Sequence, residues 1–413
     1  MAHDPYAALR VRNFRALLAS VFTMTVATQI QVVVVSWQIY QVTRDPLSLG
    51  LVGLAEAIPF VAVALYAGHV ADKFSRRTIA LLAFVVLLAC SLALVAFTLR
   101  PGFISQGRVW PIYAVIFVSG IARSFYRPAS VALGAELIAR ELYPNAVAWR
   151  TSLWQAAAVL GPALGGLLYG FTSATVAYAV DAALMIVAIV MLGSVVTTAR
   201  TVPAETIPIF ESLTSGIRFL WGRPIILGAM TLDLFSVLFG GAVALLPVFA
   251  SDILGTGPQG LGVLRAAPAA GSVAMSLIIA HRPPFQRAGR TLLLSVALFG
   301  LCTIAFAIST NFYLSLLLLA VSGAADNISI VIRSTLLQTF TPEHLLGRVA
   351  AVNSVFIGSS NEIGAFESGL AARIMGTVPS VIFGGAMTLL VVTLTAATVP
   401  MLRKLRRIED VAS

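Results

Sequence analysis

Gly68-His69-Val70-Ala71-Asp72-Lys73-Phe74-Ser75-Arg76-Arg77 separates two long apolar runs, and its reading decides the fold. The run before it, 47–67, carries Glu56 as its only charge. The run after it, 78–99, holds no charge, proline or glycine. Each charge at the centre of a bilayer costs about 3 kcal/mol or more. Four charges within six residues therefore mark a tight basic loop outside the hydrocarbon, joining two membrane helices.

The composition points the same way. The 413 residues are 59% hydrophobic and 11% charged, with a mean hydropathy of +0.94, as expected for a chain dissolved in lipid. A net charge of +10 raises the question of nucleic acid. The basic residues, however, recur in short clusters between apolar runs instead of forming one face or tail, so the expected partner is the bilayer and not nucleic acid. Cys90 and Cys302 stand alone in apolar runs, which excludes a disulfide framework or a cysteine metal site. Arg10, Arg12 and Arg15 lead into a long apolar helix, the pattern of an uncleaved first span. There is no Walker loop, H-E-x-x-H or nucleophile elbow, so neither an enzyme nor a bound cofactor or metal is expected.

A hydrocarbon core of about 30 Å takes roughly 20 helical residues. Apolar runs of that order lie at 14–40, 47–71, 78–99, 111–137, 146–170, 174–197, 224–250, 258–280, 290–309, 312–340, 347–373 and 378–402. The expected fold is an all-α membrane protein of twelve transmembrane helices. Residues 1–200 form a first six-helix half, 201–222 a cytoplasmic linker and 223–413 a second half. One set of loops and both termini hold nineteen Lys and Arg, while the opposite loops hold only Arg44, Arg100 and Arg108. That bias places both termini in the cytoplasm. The halves also repeat. Val118-Ser119-Gly120 recurs as Val321-Ser322-Gly323, and Gly161, Gly166 and Leu167 align with Gly364, Gly369 and Leu370, all at a spacing of 203. Leu49-Gly50 aligns with Leu261-Gly262 at 212. Two pseudo-symmetric six-helix halves are the pattern of an alternating-access carrier.

The opening loop resembles the G-x-x-x-D-[RK]-x-G-[RK]-[RK] pattern of the major facilitator superfamily. Gly68, Asp72, Lys73, Arg76 and Arg77 match, and Ser75 replaces the second glycine. Tyr126-Arg127-Pro128-Ala129-Ser130-Val131-Ala132-Leu133 is similar to the F-R-P-A-x-x-A-L of a bacterial exporter group that includes the enterobactin and macrolide efflux proteins. The stretch Leu337-Gln338-Thr339-Phe340-Thr341-Pro342-Glu343, followed by Gly347-Arg348, resembles the same group's L-Q-x-x-T-P-E-x-x-x-G-R. Gly161-Pro162-Ala163-Leu164-Gly165-Gly166 resembles the G-P-x-x-G-G of drug:proton antiporters, and small residues there also let helices approach closely. The resemblance implies a bacterial inner-membrane protein, a gating role for Asp72 and Arg76, and a central cavity lined by spans 1, 4, 7 and 10.

Ionisable residues inside apolar runs are site candidates by default. Arg123 in span 4 and Asp326 at the repeat-equivalent position in span 10 are expected to face one another, either as a switching pair or as a static one that sets helix register. Asp233 is a further cavity candidate for proton coupling. Glu56 in span 2 and Glu362 and Glu367 in span 11 form another group, in which close approach of Glu56 to Glu367 would leave one of them protonated. Arg127 is a candidate for substrate contact that also suits a structural role, and Asp181 suits a structural role. Thr28 and Gln31 share a face of span 1, and Trp154 and Gln155 lie in span 5; these could contact substrate or neighbouring helices.

The expectation is an exporter of a medium-sized amphiphilic molecule, a siderophore or hydrophobic drug. It would be driven by proton antiport with no cofactor beyond the proton gradient, and would work as a monomer. Gradient-coupled import of a small nutrient shares every topological feature. A non-transporting membrane receptor leaves the repeat and the buried charges without a purpose.

Overall fold

A computed structural model of the chain describes residues 4–197, 217–283 and 285–406. Most of the expected linker and the last residues of the C-terminal tail lie outside them. The principal helices are α1 (Arg12–Thr43), α2 (Pro46–Lys73), α3 (Arg76–Thr98), α4 (Trp110–Glu136), α5 (Tyr143–Phe171), α6 (Ala174–Gly193), α7 (Pro224–Phe239), α8 (Gly257–Ala280), α9 (Ala288–Ile308), α10 (Phe312–Phe340), α11 (Glu343–Met375) and α12 (Thr377–Thr398). Nine stretches among the described residues are long and apolar enough to cross a membrane. The apolar part of α2 among the described residues is shorter, Pro46–Phe60, while α4 carries Arg123 and Arg127 and α11 carries Glu362 and Glu367.

Local chemistry sets the ends of several helices. Ser75 accepts a hydrogen bond from the Thr78 amide at the start of α3, and Ser173 does the same for Val176 at the start of α6. Asn311 caps α10 by accepting from the Leu314 amide at 3.0 Å. The expected single span at 224–250 is instead interrupted: α7 stops at Phe239, and the Gly240-Gly241 pair leads through a 3₁₀ segment, Gly241–Leu245, to a π turn at Phe249–Ile253. Adjacent glycines, with Pro247 just beyond, weaken the regular ladder there.

The helices cluster into two compact units. One comprises Met1–Arg44, Ala55–Glu205 and Gly257–Ala266; the other comprises Asp45–Leu54, Thr206–Thr256 and Ala267–Ser413. In the first unit the main pairings are α1 with α6, α1 with α5, α3 with α4 and α3 with α6. The second unit has α7 with α12, α7 with α11, α9 with α10 and α9 with α12. These are the same four pairings shifted by six helices. The core of the first unit joins Leu17 and Met24 of α1, Phe84 and Leu87 of α3, Tyr126 of α4 and Met185 of α6. The core of the second joins Leu232 of α7, Leu292 and Val296 of α9 and Ile332 and Leu336 of α10.

The glycines that align in the repeat lie at close helix contacts. A Cβ on Gly161 would meet the Val26 carbonyl oxygen of α1 at 3.1 Å, and one on Gly166 would meet Gly262 Cα of α8 at 2.7 Å. At the equivalent positions, a Cβ on Gly364 would lie 2.8 Å from the Leu238 carbonyl oxygen of α7, and one on Gly369 would lie 2.7 Å from Gly50 Cα of α2. The identities at near-constant spacing thus record backbone-to-backbone packing repeated in both units.

Candidate functional site

In the first unit, α2 and α4 approach closely because of two small features. A Cβ on Gly120 would lie 2.8 Å from Pro59 Cγ and 3.3 Å from the Glu56 carbonyl oxygen. Pro59, inside α2, lacks the amide that would close the helical ladder at that turn. This approach brings Glu56 Oε1 to 2.9 Å from Arg123 Nη1, with the two side chains 21% and 17% exposed. Arg123 is further held by its own helix: Nη2 donates to Ser119 Oγ at 3.2 Å and Nε to the Ser119 carbonyl at 3.4 Å. Val118-Ser119-Gly120 thereby acquires a chemical meaning, since Ser119 orients the guanidinium and Gly120 admits its partner.

Within its own unit, the carboxylate that Arg123 holds in this structure is Glu56. Glu367 is half-buried on α11 and accepts from Ser368 Oγ at 3.5 Å. Glu362 is half-buried one turn earlier, where its carbonyl oxygen would lie 2.9 Å from a Cβ on Gly53.

The second unit contains its own buried ion pair. Asp233 on α7 binds Arg333 on α10, and both side chains are only 7% exposed. Asp233 is a sequence candidate, but Arg333 is not. The signal for it was present as an arginine within the apolar run 312–340. Asp326, two turns earlier on α10, has no hydrogen-bond or ion-pair partner among the described residues. Its neighbour Asn327 instead ties α10 to α8, donating to Ser272 Oγ at 2.9 Å and accepting from Ser276 Oγ at 3.2 Å.

At the basic loop, the surroundings of Gly68 and the side chains of Asp72 and Lys73 lie outside what the structure describes. Arg76 forms an ion pair with Glu136 at the end of α4 and also donates to the Ala132 carbonyl at 3.4 Å. Arg77 donates to the Gly193 carbonyl at the end of α6 at 2.6 Å. The loop therefore ties the start of α3 to the ends of two neighbours. Glu136 was not singled out by sequence, since an acid at a helix end is common. The replacement of glycine by Ser75 is also explained: its φ is −55°, which needs no glycine, and its hydroxyl supplies the cap.

The remaining candidates are spread over the first unit. Thr28 Oγ1 donates to the Met24 carbonyl of its own helix at 2.9 Å, and Gln31 is buried. Arg127 stacks its guanidinium over Phe60 of α2, 5.4 Å from the ring centre. Trp154 is exposed on α5 and Gln155 half-buried. Pro162, Gly165 and Gly166 are buried; a Cβ on Gly165 would lie 3.0 Å from Ile30 Cα, so this motif seats α5 on α1 on one face and on α8 through Gly166 on another.

Comparison with known proteins agrees with this architecture. The profile of the family described as transmembrane secretion effector matches residues 3–413. The chain belongs to this family, a branch of the major facilitator superfamily. The enterobactin exporter EntS of Shigella flexneri is 26% identical over 398 residues, covering 95% of this chain and 93% of that protein. The same exporter from Escherichia coli O1:K1 is 26% identical over 395 residues, with the same coverage. Among solved structures, a D-xylose–proton symporter superposes with a TM-score of 0.70 at 14% identity, covering 95% of this chain and 99% of that one. A peptide transporter in complex with sulfate gives 0.73 at 11% identity, covering 98% and 100%. These superpositions show the fold. The protein is a multi-pass membrane transporter of the major facilitator type.

Proposed function

We propose that the protein is a secondary active exporter in the bacterial inner membrane, with both termini cytoplasmic, moving a medium-sized amphiphilic molecule outward by proton antiport and alternating access. The substrate class is a siderophore or a hydrophobic drug. The protein works as a monomer, with no cofactor beyond the proton gradient. The observation that carries the direction of transport is the near full-length similarity to proteins named as exporters. The helix-5 sequence Gly161-Pro162-Ala163-Leu164-Gly165-Gly166 supports the same direction.

Coupling needs charges whose pairing can change with conformation, and the Arg123–Glu56 pair meets that need. It is neither fully exposed nor fully sealed, and it joins two helices that meet at a proline and a glycine. Rearrangement of α2 against α4 releases the Glu56 carboxylate to accept a proton, and return of Arg123 displaces that proton. The Arg76–Glu136 pair and the capped start of α3 hold the basic loop as part of the gate.

The test uses everted membrane vesicles with an imposed acid-inside gradient and two probes, a catecholate siderophore and a fluorescent hydrophobic cation. Accumulation of either probe with dissipation of the gradient is the expected result. Gradient-driven release of preloaded probe would instead establish import.

A further inference from the structure

The mechanism above leaves unused the most deeply buried acid among the described residues. Asp181, on the second turn of α6, is 0% exposed. Neither of its carboxyl oxygens has a hydrogen-bond partner among the described residues. Polar groups around it are committed elsewhere. Ser91 on α3 is the one hydroxyl among the described residues that reaches toward it, and it donates to the Leu87 carbonyl at 3.1 Å, while Cys90 donates to the Val115 carbonyl of α4 at 3.7 Å. Tyr178, one turn earlier on α6, donates to Gln38 of α1 at 2.9 Å, and Ser20 of α1 donates to the Ala188 carbonyl at 2.9 Å.

No cation stands against it either. Residues 16–43 of α1, 78–99 of α3 and 151–171 of α5 hold no Lys, Arg or His. The titratable groups those helices and α6 itself present are three phenols and a thiol: Tyr40 on α1, Cys90 on α3, Tyr169 on α5 and Tyr178 on α6. The guanidinium of Arg123 on α4, which Cys90 feels, is occupied by Glu56 at 2.9 Å. A carboxylate in such a setting has no counter-charge and at most the neighbouring Ser91 hydroxyl to offset its burial, and a buried acid so placed takes up a proton instead.

We infer that Asp181 is a proton-binding site of the first unit, separate from the Arg123–Glu56 pair and holding its proton in this conformation. The only bond that changes is the carboxyl O–H. When α6 parts from α3 or α1 and water reaches the group, the O–H ionises to solvent; when the helices close again, a proton must return before the carboxyl is sealed. An acid that cannot be charged in the closed packing and can be charged in an open one ties proton number to helix arrangement. Its use in coupling rests on the antiport reading, but its occupancy by a proton does not.

The test is infrared difference spectroscopy on the purified full-length protein with isotope-labelled aspartate at neutral pH. The wild type should show a protonated-carboxyl stretch that disappears in Asp181→Asn. An unchanged band in that variant would overturn the assignment. Asp181→Leu supplies a second readout, because replacing a neutral, unpartnered acid by an apolar side chain should leave the melting temperature equal or higher. A fall in melting temperature for both variants would reveal a hidden counter-charge and also overturn the inference. In liposomes, Asp181→Asn should lose acceleration of transport by an imposed pH gradient. If the wild type itself shows no such acceleration, the antiport reading fails while the spectroscopic result still decides the proton site.

Discussion

The two halves of the molecule share their backbone packing and differ in their charges. Gly161 and Gly166 of α5 have counterparts in Gly364 and Gly369 of α11, and each glycine sits against a backbone with no room for a side chain. Gly120 of α4 packs against Pro59 of α2, and Gly323 of α10 would place a Cβ 2.0 Å from the carbonyl oxygen of Pro268 in α8. The ion pairs follow no such symmetry. The first half joins α2 to α4 through Glu56 and Arg123, whereas the second joins α7 to α10 through Asp233 and Arg333. Ser130 occupies the register of Arg333 in α4, and α1 has no charge between Arg15 and Arg44 to take the part of Asp233. At the register of Glu56, three residues before the helix proline, the second half has Arg265. At the register of Arg123, three residues after the packing glycine, it has Asp326. Duplication thus fixed the scaffold, on which steric fit leaves little freedom, while charge positions diverged. The proposed coupling is placed at those divergent positions.

This contrast can be broken in a graded series. The largest effects should come from the shared scaffold. Gly166→Leu and Gly369→Leu drive a side chain into opposing backbone, and overpacking of about 3 kcal/mol or more should remove most folded protein in both cases, as read by size-exclusion chromatography of a fluorescent fusion. Tolerance of leucine in one half alone would show that the packing is not equivalent. Next comes the sealed pair of the second half. Arg333→Leu leaves Asp233 buried without a partner and should cost about 3–5 kcal/mol in thermal unfolding, with Asp233→Asn on top of it restoring most of the loss.

The wetter pair of the first half should matter less for stability and more for transport. Arg123→Gln should cost about 1–3 kcal/mol, the range for a hydrogen bond to a charged group, while abolishing proton-driven accumulation in vesicles. The smallest effect belongs to the loop. Glu136→Gln removes a partly exposed partner of Arg76 and should change stability by about 1 kcal/mol or less, so that any larger loss of turnover measures its part in gating.

The pattern of these effects explains what the sequence could reveal. Topology was legible because bilayer thickness and the cost of charge in hydrocarbon act on every residue of a span. The repeat was legible through Gly120, Gly161, Gly166 and their partners, since a glycine with no room for Cβ has no substitute. Which charges meet was not legible. Arg123 was identified as a site residue, but its partner depends on how α2 leans on α4 at Pro59, a tertiary fact without a local signature. Arg333 was passed over because nothing in its neighbourhood distinguishes an arginine bound to a helix-7 acid from one that snorkels to the surface. Ser75 shows the reverse case, where departure from the family pattern had a local cause visible only with the backbone angle in hand.

The central claim is that transport is coupled through the Arg123–Glu56 pair on a scaffold that is otherwise duplicated. Its most direct test measures proton-driven probe accumulation in everted vesicles for Arg123→Glu, for Glu56→Arg and for the two combined, at matched protein levels. Each single change should abolish accumulation by placing like charges together, and the combination should restore part of it. Accumulation at the wild-type rate in either single variant would contradict the account.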